Sequence, residues 1–390
     1  MREQVRQASR SSKRHRSARR RTASIAAVLA LGVITSAALA SSAVSATAPD
    51  KVQQSLDALV HTDGMPAALA SVKGRDGRTR TYAAGVADLA THAKVPADGR
   101  VRIGSNTKAF TAVVVLQLVG EGKVGLGATV DTYLPGLVRG DGIDGRHITV
   151  RQLLQHTSGL PDYADSLDIP GMRHRYVEPR DLLDIALRGK AHFPPGTRWE
   201  YSNTNYLLLG LIVQKVTGRP VGEQIDQRVI ERIGLRDTYF PAPGDMRVRG
   251  PHPHGYFKDP ATGALRDFTR MDPSWAWAAG ALISTNSDLD RFYSALLAGR
   301  LIPAAQLAQM QTTVPAPLLG RGVRYGLGLV SRPLSCGGVY WGHGGDIPGY
   351  RTRGGATADG RAANIAVTDE PHDKPTAEHV EKAVDTALCR

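Results

Sequence analysis

The sequence predicts an α/β (α+β) fold in which one antiparallel sheet is built from both ends of the chain and a mainly helical segment is inserted between them. Three observations predict it. A helical pattern over 52–60 is followed by two strand patterns, 67–74 and 80–85, joined at Asp76-Gly77; this is an antiparallel hairpin beside a helix, not the opening of a doubly wound parallel sheet. Residues from about 123 to 280 carry helical periodicities and long loops. Beyond them lie strand-like stretches at 325–330, 339–343, 350–353 and 362–368, and a closing helix over 375–387. No repeat, coiled coil or nucleotide-binding glycine loop interrupts this plan.

The first 22 residues hold nine Lys/Arg and one acid, Glu3. An apolar run over 23–35 and a small-residue tail ending Ala43-Val44-Ser45-Ala46-Thr47-Ala48-Pro49 follow, the pattern of an export signal with cleavage expected after Ala46. An uncut membrane anchor is the alternative. No later run is long and apolar enough to span a bilayer. The leader also accounts for most of the net charge of +13, so the charge does not indicate a nucleic-acid partner. A content of 42% hydrophobic residues in 390 is that of an ordered globular protein. The two cysteines, Cys336 and Cys389, permit one disulfide in an exported protein, tying the C-terminal tail to the segment before His343; two buried thiols are the alternative. Neither cysteine has metal-spaced partners, and His252 and His254 sit on a polar loop, so no metal site is expected.

After the hairpin, Val101-Arg102-Ile103-Gly104-Ser105-Asn106-Thr107-Lys108 leads into a buried helix that opens at Ser105 and ends near Gly120-Glu121-Gly122. Three residues apart, Ser105 and Lys108 share one helix face. A serine needs a base to become a nucleophile, and a lysine desolvated at the foot of a buried helix can be that base. Taken alone the pair is weak evidence, because a serine opening a helix is commonly a cap. A helix capped by Thr149 stops at His156-Thr157-Ser158-Gly159; others are expected over 179–187, 206–216, 221–233, 286–297 and 304–310, with a loop-rich stretch between about 241 and 273. The expected division is an export signal over 1–46, an α/β domain from 47–122 and 281–390, and a mainly helical domain over 123–280, with the active site in the cleft between the two domains.

Two further sites join Ser105. Tyr201-Ser202-Asn203 follows a turn in the helical segment, and Trp341-Gly342-His343-Gly344-Gly345-Asp346 lies on a strand whose glycines let a substrate backbone approach. In this order, Ser105-x-x-Lys108, Tyr201-Ser202-Asn203 and His343-Gly344-Gly345 resemble the three signatures of the serine beta-lactamase-like, penicillin-recognising hydrolases. The similarity is to the branch of class C beta-lactamases, actinobacterial D-alanyl-D-alanine carboxypeptidases, D-aminopeptidases and related esterases, and it runs from about Val52 to Cys389. The fold it implies is beta-lactamase/transpeptidase-like: about five antiparallel strands with terminal helices, and a helical domain across the cleft.

The resemblance implies that Ser105 attacks a carbonyl to give an acyl-enzyme, with Lys108 and Tyr201 sharing the base work. An ammonium beside a phenol favours the phenolate, so Tyr201 is expected to take the serine proton and pass one to the leaving group. Asn203 orients Lys108 and the substrate amide. The oxyanion sits between backbone N–H groups of Ser105 and, by the family pattern, near Asp346. His343, Gly344, Gly345, Asp346 and Trp277 are expected against the substrate, whereas Trp275 and Trp277 are equally explicable as core. His156, in its histidine-threonine-serine-glycine turn, is read as structural. No cofactor is needed. One departure stands out: carboxypeptidases usually read histidine-threonine-glycine followed by threonine, and here Gly344 and Asp346 occupy those places. Asp346 facing the cleft would repel a substrate carboxylate, although Arg351 or Arg353 could offset it.

The expected function is a secreted, monomeric D-alanyl-D-alanine carboxypeptidase acting on cell-wall peptides or captured by a beta-lactam. The alternatives are an esterase, D-aminopeptidase, D-peptide amidase or beta-lactamase on the same fold. A penicillin-binding sensor with decayed catalysis is disfavoured, since binding alone does not require Ser105, Lys108, Tyr201, Asn203 and His343 together.

Overall fold

Two apolar runs from opposite ends of the chain form the centre of the sheet in the computed structural model, which describes residues 50–390. The expected export segment lies outside the described residues. Strand β1, Ala67–Lys73, pairs antiparallel with β2, Thr79–Gly85, on one side and on the other with a strand near the C-terminus, Ala362–Val367. In chain order the remaining strands are β3 (Val314–Pro315), β4 (Arg324–Tyr325), β5 (Val330–Pro333), β6 (Val339–Gly342), β7 (Gly345–Ile347) and β8 (Tyr350–Ala356), with Ala362–Val367 as β9. The sheet order is β2-β1-β9-β8-β6-β5-β4-β3, and β7 also pairs with β8. Every pairing is antiparallel.

The central strands are buried on both faces, so they read as unbroken apolar runs. Helices α1 (Lys51–His61) and a long C-terminal helix (Lys374–Leu388) cover one face, where Leu56, Leu59, Val380 and Val384 meet Ala68, Ala70 and Ile365. The opposite face is covered by a helix over Asn286–Leu297, and α2 (Thr107–Gly120) backs that helix, with Phe110 stacked on Phe292 at 3.8 Å. Between them lies the helical subdomain, built on α3 (Val150–Gln155), α4 (Pro179–Leu187) and α5 (Asn203–Thr217), so that Asn286–Leu297 is α6 and Lys374–Leu388 is α7. Among the described residues no helix is long and apolar enough to cross a membrane.

Several expectations change in detail. The sheet has nine strands rather than about five; β3 and β7, two and three residues long, are too short for alternation to show. The stretch read as one strand over 325–330 is a hairpin, turned at Gly328 with φ +77°. The loop-rich stretch contains a second hairpin, Tyr256–Lys258 with Leu265–Asp267. The helix over 221–233 is interrupted by a wider turn at Asp226–Ile230. Thr149 caps α3 in a reciprocal capping box with Gln152, as its sequence predicts.

Cys336, in the β5–β6 turn, is bonded to Cys389 at the end of α7, with Cα atoms 5.6 Å apart. Closing a 53-residue separation removes unfolded-state entropy worth up to about 4 kcal/mol. Reduction, or Cys336→Ser with Cys389→Ser, is therefore expected to lower stability by roughly 2–4 kcal/mol, read as a lower denaturant midpoint at unchanged m-value.

Candidate active site

The Ser105 segment is held by its neighbours before any chemistry is considered. Gly104–Asn106 forms one 3-10 turn ahead of α2, so Ser105 sits on that turn and not in the α-helix proper. Thr107 Oγ1 donates to Gly104 O at 2.8 Å, and Asn106 Nδ2 donates to Thr352 Oγ1 of β8 at 2.7 Å. The turn still keeps Ser105 over Lys108. Lys108 has no exposed surface, and its Nζ lies 2.9 Å from Ser105 Oγ, 2.7 Å from Asn203 Oδ1 and 2.8 Å from Ala279 O. Two of these partners are carbonyl oxygens and can only accept. A neutral amine donates to both and turns its lone pair to the Ser105 hydroxyl. Burial lowers the Lys108 pKa to about 7, against the opposing charge of Asp162, so a sizeable neutral fraction exists near neutrality.

Asp162 was not legible from the sequence. Its Oδ2 accepts from Asn203 N at 2.9 Å and Asn203 Nδ2 at 2.8 Å, while Oδ1 accepts from Ala164 N at 3.0 Å. These bonds fix the Asn203 amide with its oxygen on Lys108. Burial raises the Asp162 pKa, with the bonds from Asn203 and Ala164 and the charge of Lys108 opposing. Asp162→Asn removes a charge that raises Lys108, so the rising limb of the pH–rate profile is expected to move to lower pH. The maximal rate should fall about tenfold as Asn203 loses its anchor; a pH–rate profile checks both.

Tyr201 stacks on His156 with ring centroids 4.3 Å apart, and Lys108 Nζ lies 4.8 Å from its ring centre. Burial holds the phenol well above its usual range, and hydrogen bonding with Ser105 offsets this only in part. Desolvation thus favours the neutral phenol at rest, against the phenolate expected from the neighbouring amine.

Across a cavity of about 480 Å³, lined among others by Ser105, Tyr201, Asn203, His343, Gly344 and Asp346, lies the edge of β6 and β7. His343 is buried; its Nδ1 donates to Gly344 O at 2.6 Å, and Tyr325 lies 2.9 Å from Nε2. Burial, reinforced by the Lys108 charge, lowers its pKa to about 3. Gly345 does not line the cavity. A Cβ there would fall 1.9 Å from Ile103 O, and one on Gly104 would lie 2.9 Å from Asp346 O. These two glycines let β7 close on the backbone of the Ser105 turn, where a substrate backbone was expected.

Asp346 faces the cavity with 45% of its side chain exposed, paired to Arg353 at 2.9 Å and Arg351 at 3.4 Å. Partial desolvation raises its pKa, but the charges of Arg353 and Arg351 hold it on balance below the usual carboxylate range. Arg353 also meets Glu381 at 2.8 Å, and Glu381 meets Arg332 at 3.4 Å. Three arginines and two carboxylates therefore share this wall, and the expected repulsion by Asp346 is neutralised. Trp277 is not in this cavity. Its φ of +34° turns the ring onto Gly210 of α5, where it lines a separate apolar cavity with Tyr176 and Phe240; Trp275 is core.

A serine hydroxyl beside a buried amine is the arrangement that serine-type hydrolases use. The family model described as Beta-lactamase matches residues 52–387, and the chain belongs to that family. Its structure is similar to a D-stereospecific amidohydrolase from Streptomyces sp., 38% identical with a TM-score of 0.78, covering 85% of this chain and 97% of that one. It is also similar to the D-amino acid amidase of Ochrobactrum anthropi SV3, 28% identical with a TM-score of 0.76, covering 86% and 96%. Penicillin-binding protein 4* of Bacillus subtilis (strain 168) is 27% identical over 315 residues, 78% of this chain. The chain spans 68% of that protein's length and 31% to 59% of other curated relatives.

Proposed function

We propose that the protein is a secreted D-amino-acid amidase or D-aminopeptidase working through a Ser105 acyl-enzyme. The observation that supports it best is the 38% identity, over 85% of the chain, to a D-stereospecific amidohydrolase. In the proposed reaction neutral Lys108 takes the Ser105 proton as Oγ attacks the amide carbon. Backbone N–H groups of Ser105 and Asp346 hold the oxyanion. The Tyr201 hydroxyl hands a proton to the departing nitrogen, which leaves as ammonia or an amine, and takes one back from the Lys108 ammonium, so both groups return to rest before water enters. Water then cleaves the ester, returning the Ser105 hydroxyl and releasing the D-amino acid. Secretion fits the leader and the Cys336–Cys389 disulfide.

The test is hydrolysis of D- and L-phenylalanine amide by the native protein and Ser105→Ala. Turnover of the D form at least about 100-fold above the L form, roughly 3 kcal/mol of discrimination, is expected only with Ser105 present. Equal turnover of both forms would sink the D-specific reading. A second reading, D-alanyl-D-alanine carboxypeptidase, is favoured by the excess of Arg332, Arg351 and Arg353 over Asp346 and Glu381 along the cavity. Its signature is a lasting benzylpenicillin adduct on Ser105 in intact mass together with release of terminal D-alanine.

A further inference from the structure

We propose that His156 and Tyr325 are a buried positioning pair, which fixes Tyr201 and His343 on the two sides of the Ser105 cavity through one directed chain of hydrogen bonds. The proposal rests on Ser105 acting as the nucleophile and not on which acyl group it accepts.

The direction of the chain follows from its ends. The Ser202 backbone N–H, which can only donate, meets His156 Nδ1 at 3.2 Å, and the Asn205 amide nitrogen lies 3.1 Å from the same atom. A neutral His156 therefore carries its proton on Nε2, which faces the Tyr325 hydroxyl at 3.1 Å. At the other end the Gly344 carbonyl, which can only accept, takes the His343 Nδ1 proton. That leaves His343 Nε2 to accept from the Tyr325 hydroxyl at 2.9 Å. The Tyr206 hydroxyl, which donates to Leu154 O at 2.9 Å, also borders the Tyr325 hydroxyl, and the two tautomers are assigned from the histidines' own partners. Burial holds His156 well below the usual histidine range and His343 at about 3, so both rings are neutral. A chain of this kind strengthens along its length and loses more than one bond's worth when cut.

Geometry ties the chain to the reacting groups. His156 is buried and left-handed at φ +60°, an uncommon state for a residue with a side chain, kept where surroundings over-determine it. Its carbonyl accepts from Glu200 N at 3.0 Å and its ring from Ser202 N, so both residues flanking Tyr201 are bonded to one histidine. The same ring is the face on which Tyr201 stacks. Tyr325 packs edge-on to both imidazoles, at 4.8 Å and 5.7 Å. Helix α3 thus holds Tyr201 with one histidine and, through one hydroxyl, the second histidine on the sheet.

A double-mutant cycle with Tyr325→Phe and His156→Asn tests this. Phenylalanine keeps the ring and deletes the hydroxyl. Asparagine tolerates the left-handed backbone and offers Ser202 N–H an acceptor, but is too short to reach Tyr325. The readout is the rate of Ser105 labelling by a fluorophosphonate, followed by intact mass, which needs no knowledge of the substrate. Each single variant is expected to label about tenfold more slowly, the scale of a misplaced reacting group. The double is expected to be no slower than either, as for residues that act as a unit. In parallel, ¹⁵N spectra of the histidines at neutral pH should show single tautomers in the native protein and a mixed His343 in Tyr325→Phe. Labelling within about twofold of native in Tyr325→Phe, losses that multiply toward about 100-fold in the double, or an unchanged His343 tautomer would each overturn the pair. Should His156→Asn not fold, the rate and spectrum of Tyr325→Phe decide alone. A native protein that resists the probe overturns the serine reading itself, and the pair with it.

Discussion

Ser105→Ala is expected to abolish acylation, with turnover reduced by roughly 10³ to 10⁶, the range lost when a nucleophile is removed and only binding and oxyanion contacts remain. The protein should stay folded. Ser105 Oγ is one of three partners of Lys108 Nζ, and Asn203 Oδ1 and Ala279 O remain at 2.7 and 2.8 Å. The stability change should therefore lie within about 1 kcal/mol, the net worth of one hydrogen bond. Turnover of D-phenylalanine amide and fluorophosphonate labelling, measured beside a thermal melt, separate lost chemistry from lost fold. Residual turnover above about one per cent of native would place the nucleophile elsewhere.

Why Ser105, Lys108, Tyr201, Asn203 and His343 could be picked from the sequence, and Asp162 and Tyr325 could not, has a physical basis. The first five stand in short segments whose spacing carries their meaning: a serine and lysine on one helix face, a turn ahead of a helix, a glycine-flanked strand. The structure brings all five to one cavity or directly behind it. Asp162 and Tyr325 act through partners 41 and 18 residues away, and no local pattern marks such contacts. Trp277 shows the converse. An aromatic ahead of the alanine-glycine segment suits a cleft wall, yet the residue has a positive φ and its ring lies on Gly210 of α5, against a separate cavity. Asp346 was legible as a departure, but not its consequence, because the directions of Arg351 and Arg353 depend on the register of β7 on β8. The sheet follows the same rule: β1 and β9 are long and apolar, whereas β3 and β4, two residues each, exist only through their pairing.

Lys108→Met is expected to cost about 10² to 10⁴ in the acylation rate, the usual contribution of a positioned general base. Methionine approximates the volume while leaving Asn203 Oδ1 and Ala279 O without a donor, so a stability loss of about 1–3 kcal/mol should accompany it. Lys108→Arg should not restore activity, because a guanidinium stays charged and has no lone pair to offer. The pH profile carries the sharper test. If the neutral amine is the base, kcat/KM rises with pH, levels above about 7, and falls roughly tenfold for each unit below. That limb belongs to Lys108 coupled with Asp162, so it should shift in Asp162→Asn. Tyr201→Phe then decides between the two candidate bases. With the resting phenol held well above its usual range, removing its hydroxyl lowers the plateau by slowing protonation of the leaving group but leaves the limb where it is. Were the phenolate the base, the limb would vanish with the hydroxyl, and the assignment of the proton to Lys108 would be wrong.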